Sequence, residues 1–238
     1  MKFTNIFDNE VYFFDVDGVI IDSIDIKGDC FGEIYRAYGK QIVKKVIKYH
    51  FLHGGMNRKD KFKYYHENFL DKRVSEKELE ELSNRFSKML FDKILKANFI
   101  EGSLDFLKLL KKKNKKCFVV SAVPQDEIRE IVNKKKLTRF FLEVVGYPKS
   151  KKEILKYLIK KYGINVKKAV YFGDAANDFE ASKKNGIKFI GINYFDRSKG
   201  YRDFRELLKK LYKISGMRIT KVIDIQKSLK NNGIEVKR

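Results

Sequence analysis

The sequence predicts an α/β protein, a doubly wound parallel sheet with an all-helical segment inserted after its first strand. Three observations carry this reading. Short apolar runs rich in β-branched and aromatic residues recur at 11–21, 117–124, 169–178 and 188–195, and the first three meet Asp, Gly, Ser or Pro at or near their ends. Stretches with helical apolar spacing separate the later runs, so strands alternate with helices as the right-handed crossovers of a parallel sheet require. Residues 22–99, by contrast, hold helix-spaced apolar residues and no convincing strand.

Taken in order, VYFFDVDGVII at 11–21 reads as a buried strand that runs into a polar loop at Asp15, Asp17 and Gly18. Helices then fill 22–99, with Leu79, Leu82, Phe86, Met89 and Leu90 on one face of a helix and Gly54 and Gly55 interrupting the pattern. A helix over 103–113, carried by Leu104, Phe106, Leu107, Leu109 and Leu110, leads to the strand CFVVSAVP at 117–124. Helices over 125–136 and 150–162 precede the strand and loop AVYFGDAAND, a helix over 176–185 follows, and KFIGINYF at 188–195 is strand-like. Residues 215–238 offer a strand at 219–223 and a short polar helix with no assigned place. The expected organisation is a core of 1–21 and 100–214, a helical cap of 22–99 and an extension of 215–238. Ligands of such sheets bind outside the carboxyl ends of the strands, where every polar feature named above falls.

Composition narrows the classes. At 43% hydrophobic and 14% aromatic residues, 238 residues suffice for a substantial core. No run reaches the ~18 to 20 apolar residues of a membrane span, and the start, MKFTNIFDNE, lacks the apolar centre of a secretion signal, so a cytoplasmic protein is expected. Cys30 and Cys117 are too few for a disulfide framework and have no partners at metal-ligand spacing, which excludes structural zinc; Cys117, inside a strand, is expected to be buried and inert. His50 and His53 share an H-x-x-H spacing but lack an acidic or cysteine partner and read as packing or surface residues. Gly28, Gly32 and Gly39 form no dinucleotide fingerprint, and no phosphate-binding P-loop is present.

Lys and Arg total 53 against 31 acids, a net charge of +22. Much of this excess lies near the ends of helical segments, as at Lys111, Lys112, Lys134, Lys160, Lys161, Lys183 and Lys184, where a solvated ammonium offsets the helix dipole. Ile, Asn and Phe are also abundant, as in AT-rich genomes. The charge therefore reads as compositional, and no nucleic-acid or membrane partner is assigned.

The chemistry concentrates at the predicted sheet edge. Asp15 and Asp17 leave the first strand two positions apart, Ser121 follows the second, and Asp174 and Asp178 flank the turn after the third, with Lys149, Lys151 and Lys152 between. A lone Asp after a strand ordinarily caps a helix or holds a turn. Several carboxylates at one edge repel each other unless a cation separates their roles, and a hard ion such as Mg²⁺ suits an all-oxygen donor set.

FFDVDGVIIDS, VVSAVP, the lysine after YPKS, and FGDAANDFEAS resemble, in order and spacing, the four motifs of the haloacid dehalogenase superfamily, over about two thirds of the chain. The helical segment is similar to the cap of the phosphoglycolate phosphatase and β-phosphoglucomutase group, and SAVPQDEIREIV with GYPKSKKEIL resembles phosphatases of surface-polysaccharide pathways. The resemblance implies a Rossmann-like core. It makes Asp15 the nucleophile and Asp17 the general acid/base, which should then hold its proton more tightly than Asp15. It assigns a phosphoryl-oxygen contact to Ser121 and the neighbouring Ala122, and a bridging lysine that Lys149, Lys151 or Lys152 would supply. Lys151, directly after Ser150 at a helix start, is favoured. Ala122 stands where many relatives carry glycine, which requires only that the backbone there is not left-handed. Mg²⁺ would be held by Asp15, Asp174 and Asp178, the last directly or through water, with the main-chain carbonyl of Asp17. HGGMNRKDKF at 53–62 resembles the specificity stretch of such caps, with Arg58 reaching the leaving group and Lys61 one turn on.

The expected function is a Mg²⁺-dependent phosphatase acting through an aspartyl-phosphate on a small organic phosphomonoester, as a monomer or homodimer. A phosphosugar mutase would share the chemistry and change the acceptor. A basic nucleic-acid-binding protein on the same scaffold is the alternative of another class.

Overall fold

The computed structural model describes residues 6–193 and 200–214, with side chains through 209. The sequence-predicted strand at 219–223 and the extension 215–238 lie outside these residues. The parallel sheet is present, in the order β3-β2-β1-β4-β5-β6, from β1 (Val11–Phe14), β2 (Lys116–Pro124), β3 (Glu143–Tyr147), β4 (Ala169–Gly173), β5 (Lys188–Ile192) and β6 (Gly200–Tyr201). Its central strands are buried along their whole length, as parallel strands covered on both faces must be.

Strand alternation sorts their side chains between two cores. Tyr12 and Phe14 of β1, with Val119, Val170 and Phe172, face α5 (Ser103–Lys112), α6 (Gln125–Lys134) and α9 (Phe204–Ile214). Phe14 stacks on Phe172 with ring centroids 5.0 Å apart, and Phe106 of α5 stacks on Phe204 of α9 at the same distance. Val11, Phe13, Phe118 and Tyr171 face α7 (Lys151–Tyr162) and α8 (Ala176–Lys184). The lysine pairs expected at helix ends do close α5, α7 and α8, at Lys111 and Lys112, Lys160 and Lys161, and Lys183 and Lys184.

The stretch between β1 and α5 is helical, from α1 (Ile24–Ile34) and α2 (Lys40–Leu52) to α3 (Arg58–Phe69) and α4 (Glu76–Lys96). Ser75 and Glu78 form a capping box that starts α4. The insert has its own aromatic centre, where Phe31 meets Phe86 at 4.3 Å and Phe62 at 5.3 Å. Its two ends leave the sheet side by side, tied by the Asp22 amide donating to the Asn98 carbonyl and the Ile100 amide to that of Ile20, each at 2.9 Å. Among the described residues no helix is long and apolar enough to cross a membrane.

As expected, the first apolar run is a strand as far as Phe14 and then a loop, in which the Ile20 and Ile21 amides donate to the Val16 carbonyl. One element differs from expectation. Glu143–Tyr147, with no strand predicted, is the edge strand β3, paired to β2 through Phe118↔Glu143, Val119↔Val144 and Val120↔Val145. Only Val145 and Gly146 of it are buried, so it shows no continuous apolar run.

Candidate active site

Asp15 is the first residue past β1, and its amide continues the ladder by donating to the Phe172 carbonyl at 2.9 Å. The loop then turns at Gly18, where φ is +72° and an added Cβ would collide with the Asp174 carboxylate. Gly18 is thus required twice over, for its backbone and for the approach of β1 and β4 loops. Asp174 directly follows β4, and Asp178 lies in the first turn of α8, where its Oδ2 accepts the Ala175 amide at 3.2 Å. Carboxylate oxygens of Asp15, Asp174 and Asp178 all lie within 4.8 Å of one another.

Lys151 joins them. Ser150 caps α7 and bonds Glu153 reciprocally, which fixes Lys151 at the first helical position pointing to the sheet edge. Its Nζ donates to Asp15 Oδ2 at 2.5 Å and to Asp178 Oδ1 at 2.6 Å, with Lys151 only 5% exposed. Of the alternatives, Lys149 is exposed beside the Tyr157 ring and Lys152 is exposed, so neither takes this position. Burial alone would favour neutral Lys151, but Asp15, Asp178 and Asp174 outweigh it and hold the ammonium protonated. Tyr171 of β4 donates to Asp178 Oδ1 at 2.5 Å, so the Asp178 oxygens accept three hydrogen bonds and its carboxylate orients Lys151.

Burial pushes the Asp15 carboxyl up; Lys151 opposes this and the Asp178 and Asp17 charges reinforce it, leaving it at about 7. Asp174 has no hydrogen-bond partner among the described residues, and burial with the Asp15 and Asp178 charges raises it well above the carboxylate range. A buried oxygen-only cluster with one unpartnered carboxylate fits a hard divalent cation, whose charge would offset that repulsion.

The relative proton affinities of Asp15 and Asp17 correct the expectation. Burial raises Asp17 too, but Lys27 at 2.5 Å from its Oδ2 and the Ser23 hydroxyl at 2.6 Å from its Oδ1 prevail, and its carboxyl lies below its ordinary value. Asp17 therefore holds its proton less tightly than Asp15 in this arrangement, and its side chain stands apart from the Asp15–Asp174–Asp178 group.

A cleft of about 350 Å³ opens above, with Asp15, Asp17, Lys151, Asp174 and Ala122 on the sheet side and Phe51, Met56, Arg58 and Lys61 on the insert side. Ser121 is fully buried on β2, and its Oγ accepts the Val123 amide at 3.2 Å, so Ala122 rather than Ser121 forms the surface. Ala122 is not left-handed, which explains why alanine is accommodated there. Arg58, expected to reach the leaving group, lines the cleft, and its guanidinium pairs with Glu127 of α6. Lys61 is 2% exposed and donates to His50 Nδ1 at 3.0 Å and to the His50 carbonyl at 3.3 Å. Burial and Lys27 bring Lys61 down to about 7. His50 is buried and, lowered to about 3 by burial and by Lys61, is neutral, so its Nε2 donates to the Ile24 carbonyl. His53 stacks on Tyr49, and Cys117 is buried, as expected.

Sequence reasoning missed Ser23, Lys27, Tyr171 and Glu127. Tyr171 lies in an apolar run and read as core; Lys27 and Glu127 are ordinary helix residues whose role exists only after the chain folds.

The family described as "Haloacid dehalogenase-like hydrolase" matches residues 12–192. Phosphoglycolate phosphatase 1 of Pseudomonas aeruginosa is 25% identical over 126 residues, 51% of this chain and 46% of that protein, so the match spans less than half the relative's length. β-Phosphoglucomutase from Clostridium difficile superposes with a TM-score of 0.69 at 21% identity, over 88% of this chain and all of that one. CbbY from Rhodobacter sphaeroides, solved with phosphate, gives 0.66 at 13% identity, over 84% and 96% of the two chains. At these identities the structures are alike in fold.

Proposed function

Because the chain belongs to the haloacid dehalogenase-like hydrolase family, we propose that it is a phosphatase of small organic phosphomonoesters, with residues 22–99 capping a core of 1–21 and 100–214. The observation that carries this is Lys151 held between Asp15 and Asp178 beside the unpartnered Asp174 carboxylate. That arrangement supplies a nucleophilic carboxylate, a fixed cation for phosphoryl oxygens and a donor set for a metal.

In this reading Asp15 attacks phosphorus as its carboxylate, forming an O–P bond while the ester O–P bond breaks. Asp17 protonates the departing oxygen, then takes a proton from the water that cleaves the aspartyl-phosphate, which releases inorganic phosphate and restores Asp15. Asp17 must leave Lys27 and Ser23 to do so. Mg²⁺ held by Asp15, Asp174 and the Asp17 carbonyl would supply charge against the phosphoryl oxygens. The Ala122 backbone would receive those oxygens at the cleft surface, the buried Ser121 hydroxyl behind it donating once its side chain is exposed to them, and Lys151 neutralises both them and Asp15.

The cleft volume suits a metabolite-sized ester such as a sugar phosphate, an amino-alcohol phosphate or a phosphorylated precursor of a surface polysaccharide, in the cytoplasm. A panel of phosphorylated metabolites with Mg²⁺ tests the reading. Release of inorganic phosphate is expected; an isomerised ester without phosphate release would make the protein a mutase, and no turnover of any ester would refute both.

A further inference from the structure

Arg58 joins the insert to the sheet domain at the wall of the cleft. Its guanidinium meets Glu127 Oε1 at 2.7 Å, with side chains 7% and 11% exposed. The second Glu127 oxygen accepts the Ser87 hydroxyl of α4 at 2.7 Å, and that hydroxyl accepts from Arg58 at 2.5 Å. Guanidinium, hydroxyl and carboxylate thus close a ring, two members from the insert and one from α6. Arg58 also lies over the Phe86 ring, 4.9 Å from its centre, and donates to the Ser83 carbonyl at 3.4 Å. These bonds use three of its five N–H groups. The other two are without a partner among the described residues, and Arg58 lines the cleft.

A buried ion pair holds two surfaces together best when its remaining polar atoms are satisfied. Both Glu127 oxygens are, and Arg58, with its two spare donors, lines the cleft. The pair is also well placed mechanically. At the exit of the insert, Lys135 of the core donates to the carbonyls of Ile94, Leu95 and Ala97 at 2.7 to 3.2 Å. Ser87 lies roughly 14 Å further up α4, at about 1.5 Å per residue. Swinging the insert about its tied ends would keep the Lys135 contacts and break the Glu127 ring. Glu127 stands six residues past Ser121 in the first turn of α6, which directly follows the end of β2 that lines the cleft at Ala122 and Val123.

We propose that Glu127 is a positioning residue for the reaction. It fixes Arg58 against α6, holds the insert closed over Asp15, Lys151 and Asp174, and leaves two Arg58 donors for an acceptor oxygen on the leaving group. The reaction half of this inference rests on the phosphatase reading; the closure half does not.

The experiment uses the full chain labelled at Arg73→Cys and Lys156→Cys, one exposed site on each side of the cleft. Both native cysteines are buried, so the labels report the introduced pair. The distance distribution should be narrow in the parent, broader and longer in Glu127→Gln, and most so in Glu127→Ala, with unchanged circular dichroism. The exchange Arg58→Glu with Glu127→Arg should bring the short distance back. With the best ester of the Mg²⁺ panel, Glu127→Ala should lower kcat/KM by roughly 10- to 150-fold, mostly through KM, as for loss of a bond to a charged group. The exchange should not restore it, because the guanidinium then sits on the wrong element. An unchanged distance distribution in Glu127→Ala with kcat/KM within about twofold, the scale of a surface change, would overturn the proposal. Responsive distances in a protein that turns over no ester would remove the phosphatase reading and leave the closure contact standing.

Discussion

The two walls of the cleft are built by different means. On the sheet side, Asp15 and Asp174 leave the ends of neighbouring strands, so the backbone ladder alone brings them together. On the insert side, Arg58 and Lys61 share one helix, yet their surroundings come from elsewhere, Glu127 from α6 and His50 from α2. The sheet wall holds its charges in close opposition, with Lys151 between two carboxylates. The insert wall holds its cations apart, one paired to a core acid and the other to a neutral imidazole. The difference teaches that the carboxylate cluster is placed by strand topology, whereas the insert-side cations are placed by side-chain pairing. Changes to the first wall should therefore act on the reaction, and changes to the second on binding and stability.

The largest effect should come from Asp15→Asn, which keeps the shape of the sheet wall and removes the proposed nucleophile. Steady-state turnover with Mg²⁺ is expected to fall by at least roughly 10³-fold. Retention of a tenth of the activity would move the chemistry away from Asp15. Next comes the metal. Chelation should abolish activity and Mg²⁺ should restore it, while Ca²⁺, which prefers more ligands and longer bonds, restores little. Equal initial rates with the two ions would mean that the Asp15–Asp174 pair does not align the reaction.

The smallest effect falls on the insert wall. Lys61 keeps its proton in the unfolded chain until about pH 10.4 but loses it near 7 when folded. The cost of burying it is complete below pH 7 and vanishes as pH rises to about 10.4, so this residue makes stability increase with pH across that window. Lys61→Met should raise the Tm at neutral pH, by about 2 to 4 °C for each kcal/mol of burial cost removed, and should flatten the slope between pH 7 and 10 in thermal melts. An unchanged slope would show that Lys61 reaches solvent or an acid in solution.

The sequence made the sheet wall legible because each of its groups sits at the end of an apolar run, where periodicity breaks. Asp15, Asp17, Ser121 and Asp174 could be located from this alone, and Ser150 marked the helix start that favoured Lys151. What stayed hidden is what depends on contact between distant segments. Lys27 and Glu127 have nothing local to distinguish them from the other charged residues of α1 and α6, although one reverses the expected Asp15–Asp17 order and the other takes up Arg58. The strand β3 was hidden for a different reason: it lies at the sheet edge with only Val145 and Gly146 buried, so it shows no continuous apolar run.

The central claim is that Asp15 becomes phosphorylated and Asp17 completes the cycle. Asp17→Asn should still accept a phosphoryl group from an activated ester but lack the base that releases it. Intact-mass measurement after mixing this variant with an activated aryl phosphate and Mg²⁺ should show one added phosphoryl group, and peptide mapping should place it on Asp15. An adduct on another residue, or turnover by Asp17→Asn at the parent rate with no adduct, would contradict the account.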